Sequence, residues 1–297
     1  MPRRWIPLSL AALATAMAVG CSSSADTEHG VRTIPKPAPM PWAPPPSQQV
    51  RELSLPFDRY QVSVNEIYYA EKAQDVLVRA CMKRRGFAWP TIDNTERFVD
   101  LRNRRRYGVI EKDVAKALGY RPNPTLLGST SVTARKFARD RALSKDQRAA
   151  AADPRTGCQV RAHRRLRAQV KEPDASRLSE LSGRGLKQAM GSPAVRSALR
   201  AWRQCMADRG HRYADPYAAS VDKRWGKGDR ATRAEKSVAV ADVLCKEKTS
   251  LVTKWAAAER AYQRQQIRKH PGYFADLLRA KDGYLDAARD VLERRRS

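Results

Sequence analysis

Two stretches of this 297-residue chain end in the same pattern, Cys81-Met82-Lys83-Arg84-Arg85-Gly86 and Cys205-Met206-Ala207-Asp208-Arg209-Gly210. Each closes an apolar stripe at helical spacing: Ile67, Ala70, Ala73, Leu77 and Cys81 in the first, Val195, Leu199, Trp202 and Met206 in the second. Each stripe also has a start signal. Ser63-Val64-Asn65-Glu66 is a capping box, Ser192-Pro193 supplies an N-cap and a first-turn proline, and Gly86 and Gly210 offer left-handed stops. An aromatic follows three residues past each glycine, Trp89 and Tyr213, with Pro90 and Pro216 close behind. The pattern predicts an internal duplication of a helical unit. Each copy is followed by one further cysteine in helical sequence, Cys158 and Cys245. Of the three connectivities open to four cysteines, the repeat therefore selects Cys81 with Cys158 and Cys205 with Cys245.

Disulfides require an oxidising compartment, and the first twenty-one residues supply the address. Arg3 and Arg4 form a positive leader, Ile6 to Val19 is apolar but too short for a stop-transfer helix, and small residues precede Cys21. This reads as a signal peptide, 1–20, ending at a lipid-acceptor cysteine. The plainer reading is a secretory signal with an incidental cysteine, and export follows from both. Residues 21–50 read as the lipidated cysteine and a stiff tether, because Pro35, Pro37, Pro39, Pro41 and Pro44 to Pro46 force an extended path. A proline-rich docking segment anchored by Trp42 is the alternative.

Composition favours helix over sheet. Aromatics make up 7% of the chain, and Ala, Arg and Leu dominate. Lys and Arg total 58 against 31 Asp and Glu, a formal charge of +27. On an exported protein such a charge points to phospholipid headgroups, anionic wall polymers or an acidic protein as partners, and no nucleic acid is expected. A solvated arginine coat is the bland counterpart.

Between the repeats come an arginine run, Arg102, Arg104, Arg105 and Arg106, ending at Tyr107-Gly108, then a short helix near Glu111 to Leu118. A loop passes Pro122, Pro124 and Gly128, and a helix resumes around Ser144. After the second repeat, a capping box at Thr232 and Glu235 opens a long helix whose stripe is Ala234, Val238, Ala241, Cys245, Val252, Trp255 and Tyr262. His270-Pro271-Gly272 breaks it, and a last helix from about Phe274 to Glu293 is expected to fold back as an antiparallel hairpin.

Chemical motifs are sparse. The arginine run, with Arg85 and Arg209, is the candidate anion-binding set. The alternatives are a solvated loop for the run, and service to the last carbonyls of their own helices for Arg85 and Arg209. His211, near Asp208 and Asp215, is the one place to look for acid-base chemistry. No metal-ligand spacing, phosphate loop or nucleophile elbow is present, so no cofactor and no catalytic residue is assigned.

The lipobox-like Ala18 to Cys21, the proline-rich spacer, Leu77 to Met82, Tyr107-Gly108, Gly119-Tyr120, Trp202 to Met206 and Leu251 to Tyr262 together resemble a group of uncharacterised lipoproteins from streptomycetes and related actinobacteria. The resemblance implies a membrane-anchored extracytoplasmic protein and brings no catalytic residue with it. The departure is Ala18, where a branched residue is commoner.

The expectation is an all-α protein with a signal peptide (1–20), a tether (21–50) and two related modules (51–173 and 174–297), each with its own disulfide. It would sit on the outer face of the cytoplasmic membrane as a non-catalytic binding or scaffold component with a basic surface. The alternatives are an envelope hydrolase with an intermodule site near His211 and an accessory subunit of a membrane protein. Oligomeric state is left open.

Overall fold

A computed structural model describes residues 43–294, apart from 93–95, 124–125, 127–129, 227 and 229. The signal segment, Cys21 and Trp42 lie outside the described residues. All regular structure among the described residues is helical. The α-helices are α1 (Gln48–Glu52), α2 (Val64–Arg84), α3 (Lys112–Leu118), α4 (Thr130–Ala142), α5 (Lys145–Ala152), α6 (Cys158–Arg167), α7 (Ala175–Met190), α8 (Pro193–Ala207), α9 (Pro216–Ser220), α10 (Arg233–Lys248), α11 (Leu251–Lys269) and α12 (Pro271–Glu293), with short 3-10 turns at Pro56–Tyr60 and Lys223–Trp225.

Local signals set most helix ends. Ser63 accepts from the Glu66 amide at 3.3 Å while Glu66 accepts from the Ser63 amide at 2.7 Å, a complete capping box at the start of α2. Ser144 and Gln147 do the same for α5. At the far ends of α2 and α8 the duplicated words adopt one geometry. Gly86 and Gly210 take φ of 78° and 80°, the Phe87 and His211 amides donate to Met82 and Met206 carbonyls, and the Gly86 and Gly210 amides donate to Lys83 and Ala207. This paired closure satisfies carbonyls that a helix end leaves orphaned. It also fixes Cys81 and Cys205 one turn before the stop, beside fully buried Met82 and Met206.

Two disulfides join Cys81 to Cys158 and Cys205 to Cys245, with Cα atoms 5.7 and 5.6 Å apart, in the pairing that the repeat selects. The partner helices are used differently. Cys158 opens α6, so α6 runs back along α2 and brings Leu166 to Ala70 and Ala73. Cys245 lies in the last turn of α10, and one turn earlier Asp242 meets Trp202, so the pairs 202/242 and 205/245 advance in the same direction along both helices. The resemblance between the copies is strong in the first helix and its stop, and does not extend to the direction of the second.

The main core draws on both halves of the chain. Leu101, Tyr107, Val109, Ile110, Val114, Leu118 and Tyr120 pack with residues of α8, α10 and α11, and Ala43 and Val50 join them. The cores therefore do not divide at 173/174, and folded structure begins within the stretch read as tether. A second cluster surrounds the first disulfide with Val78, Met82, Trp89, Leu143 and Ala162.

Several expected helices have different bounds. The run from Thr232 to Tyr262 is interrupted by Ser250 at φ 51°, where Thr249 Oγ1 donates to the Cys245 carbonyl and ends α10. Short hydroxyl side chains compete for backbone groups in this way. The expected antiparallel pairing of the last two helices is absent as a long contact. α12 meets α11 sparsely and lies along α2 and α6 instead. Lys281, midway along α12, pairs with Glu66 in the first turn of α2 at 3.0 Å, and Val291 near the end of α12 lines one hollow with Ala80 near the end of α2, so the two helices run in the same direction. α4 fills the interval between Gly128 and the helix expected to resume around Ser144, and Ile67 of the α2 stripe is exposed.

Replacing both members of either disulfide by alanine should lower unfolding free energy by about 4 kcal/mol, the loop-entropy value for spans of 77 and 40 residues, measured by urea denaturation. Nothing stands within 4 Å of a Cβ built at Gly86 or Gly210, so alanine there tests conformation alone and should cost about 1–2 kcal/mol at each site.

Candidate functional site

The arginine run, the sequence's main candidate, is turned inward. Arg102 pairs with Asp100 at 2.5 Å and donates to the carbonyls of Asp58 and Val62. Arg104 is buried, pairs with Glu111 at 2.7 Å and donates to the carbonyls of Leu126 and Pro44. Arg105 donates to the Tyr120 carbonyl at 2.9 Å, and burial, reinforced by Arg104, holds its pKa below the ordinary value. Arg106 pairs with Glu259 and donates to the Ser182 carbonyl at 2.8 Å. Each of these guanidiniums donates to an acceptor within the protein, although Arg105 Nη1 is buried without one, so the run is an internal fastening, and the surface phosphate site expected there is corrected.

One acceptor of the run, Glu259, and two further carboxylates that meet Tyr120 and Arg121 come from helices more than a hundred residues downstream. Glu235 and Asp242, two turns apart on α10, and Glu259 on α11 are all fully buried. Glu235 accepts from the Tyr120 amide at 3.0 Å and pairs with Arg121. That inward turn explains why only half of the expected Thr232 box forms: Thr232 caps the Glu235 amide, and the Glu235 carboxylate is used elsewhere. Asp242 accepts from Lys246 Nζ at 2.9 Å, Trp202 Nε1 at 3.0 Å and Tyr120 Oη at 3.4 Å, and Lys246 also donates to the Val109 carbonyl. Burial pushes the Asp242 carboxyl up and the Lys246 ammonium down, and each opposes the other's shift. Glu259 accepts from Tyr107 Oη and Gln263 Nε2, both at 2.9 Å, and Gln263 in turn accepts from the Phe57 amide.

Desolvation first, then the neighbouring carboxylates, raise the pKa of Tyr107 and Tyr120, while Tyr217, raised by burial, moves to about 12. A phenol whose folded pKa lies above its unfolded value stabilises the fold below the unfolded pKa, near 10, and loses that contribution as pH rises toward the folded value.

The remaining candidates separate. Arg85 donates to the carbonyls of Ala150 and Thr156, closing the end of α5 and the following loop where its own helix end was expected. Arg209 is exposed. His211 is half-buried, but the carboxylates near it in sequence have other work: Asp208 accepts from Gln204, and Asp215 caps α9 through the Ala218 amide. Among the described residues no group of three His, Cys, Asp or Glu could hold a metal ion.

A different set of cations does face solvent. Arg79, Lys83 and Arg84 on α2 and Arg161, Arg164 and Arg165 on α6 are exposed, and none has an ion-pair partner among the described residues. The signal was present as arginines offset from the buried positions 158, 162 and 166, and it could be read only once α6 was known to lie against α2. Two hollows adjoin this region. One, of about 280 Å³, lies over Trp89 and Tyr68, with Arg139 stacked on the Trp89 ring at 4.3 Å and paired to Asp75 at 2.9 Å. The other is a groove of about 680 Å³ between α2, α6 and α12.

No protein-family model matches the chain, and comparison with curated proteins and with solved structures also finds no match. Among the described residues no helix is long and apolar enough to cross a membrane.

Removing one partner of the Asp242–Lys246 pair strands a buried charge. Lys246→Met should therefore lose about 3–5 kcal/mol, whereas the double replacement with Asp242→Leu should recover much of it; equal losses in single and double variants would overturn the pairing argument. In alkaline titration followed by circular dichroism, stability should fall above about pH 10, each raised tyrosine contributing a slope of up to about 1.4 kcal/mol per pH unit, and Tyr120→Phe should flatten the curve.

Proposed function

We propose that this chain is an exported, membrane-anchored binding component of the cell envelope, acylated at Cys21, whose helical part presents a basic surface to anionic partners at the outer face of the cytoplasmic membrane. The observation that carries the reading is the division of charge between interior and surface. Arg104–Glu111, Arg106–Glu259, Arg121–Glu235 and Lys246–Asp242 are one-to-one pairs, so the interior is neutral at these points and the formal excess of the mature chain, +27 less Arg3 and Arg4, or +25, resides elsewhere. A surface of that sign attracts phosphate- and carboxylate-bearing polymers and anionic lipids, with a strength that falls as salt rises.

Two disulfides in a chain of this size belong to an oxidising compartment, which supports the extracytoplasmic placement and, with it, the absence of nucleic acid from the partner set. The apolar leader before Cys21 supports the anchor. The reading assigns no catalytic group, since the carboxylates flanking His211 in sequence serve as helix caps and helix-surface acceptors.

Binding to a soluble poly(glycerol phosphate) polymer should be measurable at low ionic strength and weaken steeply between about 50 and 200 mM salt. No binding at low salt would end the electrostatic reading. Intact mass under nonreducing conditions, on protein extracted from membranes, should show a diacylglyceryl-modified Cys21 and two disulfides; an unmodified mature N-terminus would remove the anchor.

A further inference from the structure

We infer that the groove between α2, α6 and α12 is a binding site for a single acyl chain of an anionic phospholipid. The walls are aliphatic: Val76 and Leu77 from α2, Leu166 from α6 and Val170 just past its end, and Ala287 and Val291 from α12. Leu77 and Val291 are only half-buried although they adjoin a cluster whose members Ala70, Ala73 and Ala288 are sealed. A run of partly covered aliphatic side chains lining one hollow leaves apolar surface in water, which burial under a methylene chain would remove. The volume, about 680 Å³, falls within the range of roughly 300–1,000 Å³ that small-molecule sites occupy.

The groove is also polarised along its length. At one end the chain just past α6 meets α12, where Val170 Cγ2 lies 3.7 Å from a Cβ position at Gly283. At the other end, toward the Cys81–Cys158 disulfide, Arg165 lines the wall and Arg161 lies one turn along the same face of α6. Arg84 lies one turn past Ala80, which lines the opposite wall. Those three guanidiniums are exposed and have no ion-pair partner among the described residues. Asp286 and Asp290 occupy the α12 wall, and Asp286 is neutralised by Arg289 at 2.7 Å. An acyl tail directed toward Val170 and Gly283 would place a headgroup phosphate at Arg84, Arg161 and Arg165, where planar forked donors match phosphate oxygens. A zwitterionic headgroup offers the same phosphate but adds a cation to a basic rim, so the site discriminates by charge.

This inference rests on the envelope reading only for the source of the lipid, and the two can fail separately. The probe is monomeric myristoyl-lysophosphatidylglycerol, titrated into the full-length chain carrying Cys21→Ser below the probe's micelle concentration. Native mass spectrometry should show one molecule bound per chain, and lysophosphatidylcholine should bind more weakly. Ala80→Trp with Ala168→Trp fills the groove from its exposed rim. Displacing even two methylenes from it should weaken binding about tenfold, while binding to the soluble polymer stays unchanged. Arg161→Glu with Arg165→Glu should abolish the preference for the anionic headgroup. Should the tryptophan variants misfold, a diazirine-bearing acyl probe on the unaltered groove should crosslink to the segments around Val76, Leu166 and Val291. No stoichiometric complex, undiminished binding in the tryptophan variant, or crosslinks dispersed over the surface would each overturn the groove while leaving polymer binding intact. Loss of polymer binding with the stoichiometric complex retained would overturn the envelope reading instead.

Discussion

Three carboxylates withdrawn from water, Glu235, Asp242 and Glu259, decide how the rest of the chain packs. An ionised carboxylate in an apolar interior costs several kcal/mol unless a cation and further donors meet it, so each of these acids requires partners. Arg106, Tyr107, Tyr120 and Arg121 meet that requirement from the turns on either side of α3, and Lys246 completes the set by bridging Asp242 to the Val109 carbonyl. Fastened there, the segment carries Val109, Ile110, Val114 and Leu118 into the same core as Trp202 and Trp255. The polar lacing thus sets the register of the apolar contacts. An arginine-rich loop that would otherwise be a solvated excursion becomes part of the interior.

What could be read from sequence was what short-range chemistry specifies. The Ser63–Glu66 box, the Gly86 and Gly210 stops, the α8 stripe and the disulfide pairing each depend on residues within a turn or on a repeated word, and each stands in the structure. The failures are those of longer range. Glu235 is an ideal box residue by position, but Arg121 and the Tyr120 amide take its carboxylate. Arg102 to Arg106 look like a surface run because nothing nearby in sequence reveals Glu259 as a partner. α4 has few apolar positions, with Phe137 exposed and Val132 buried, so its periodicity carries little signal. The unpaired cations of α2 and α6 belong to one face only because α6 turns back along α2, a relation that no single helix encodes.

The repeated pattern Cys-Met-x-x-Arg-Gly has one local structure in both places. The same capped terminus places a cysteine and a buried methionine at equivalent points on α2 and α8, with Val78 and Trp202 filling the position three residues before each cysteine. Beyond that terminus the copies diverge, because Cys158 meets its partner at the start of α6 and Cys245 at the close of α10. A disulfide needs only two Cα atoms at the right distance with converging side chains, so it tolerates either helix direction. The helix end is what the two stretches share, and the packing around it is specific to each.

Cys81 with Cys158 and Cys205 with Cys245 are neighbours in the order of the chain, with neither crossing nor nesting. Of the four bonded cysteines, a polypeptide emerging from its N-terminus presents Cys81 and Cys158 together before Cys205 appears, and with Cys21 acylated stepwise oxidation in order of arrival then yields the native links without reshuffling. The same order leaves the guanidiniums of Arg104 and Arg106 in different positions during emergence. Arg104 finds Glu111 seven residues later, while Arg106 has to wait for a carboxylate 153 residues downstream. Covalent closure of the first half can therefore precede burial of its own charges, and synthesis leaves a window in which a linked but unfinished N-terminal part holds cations that the completed molecule conceals.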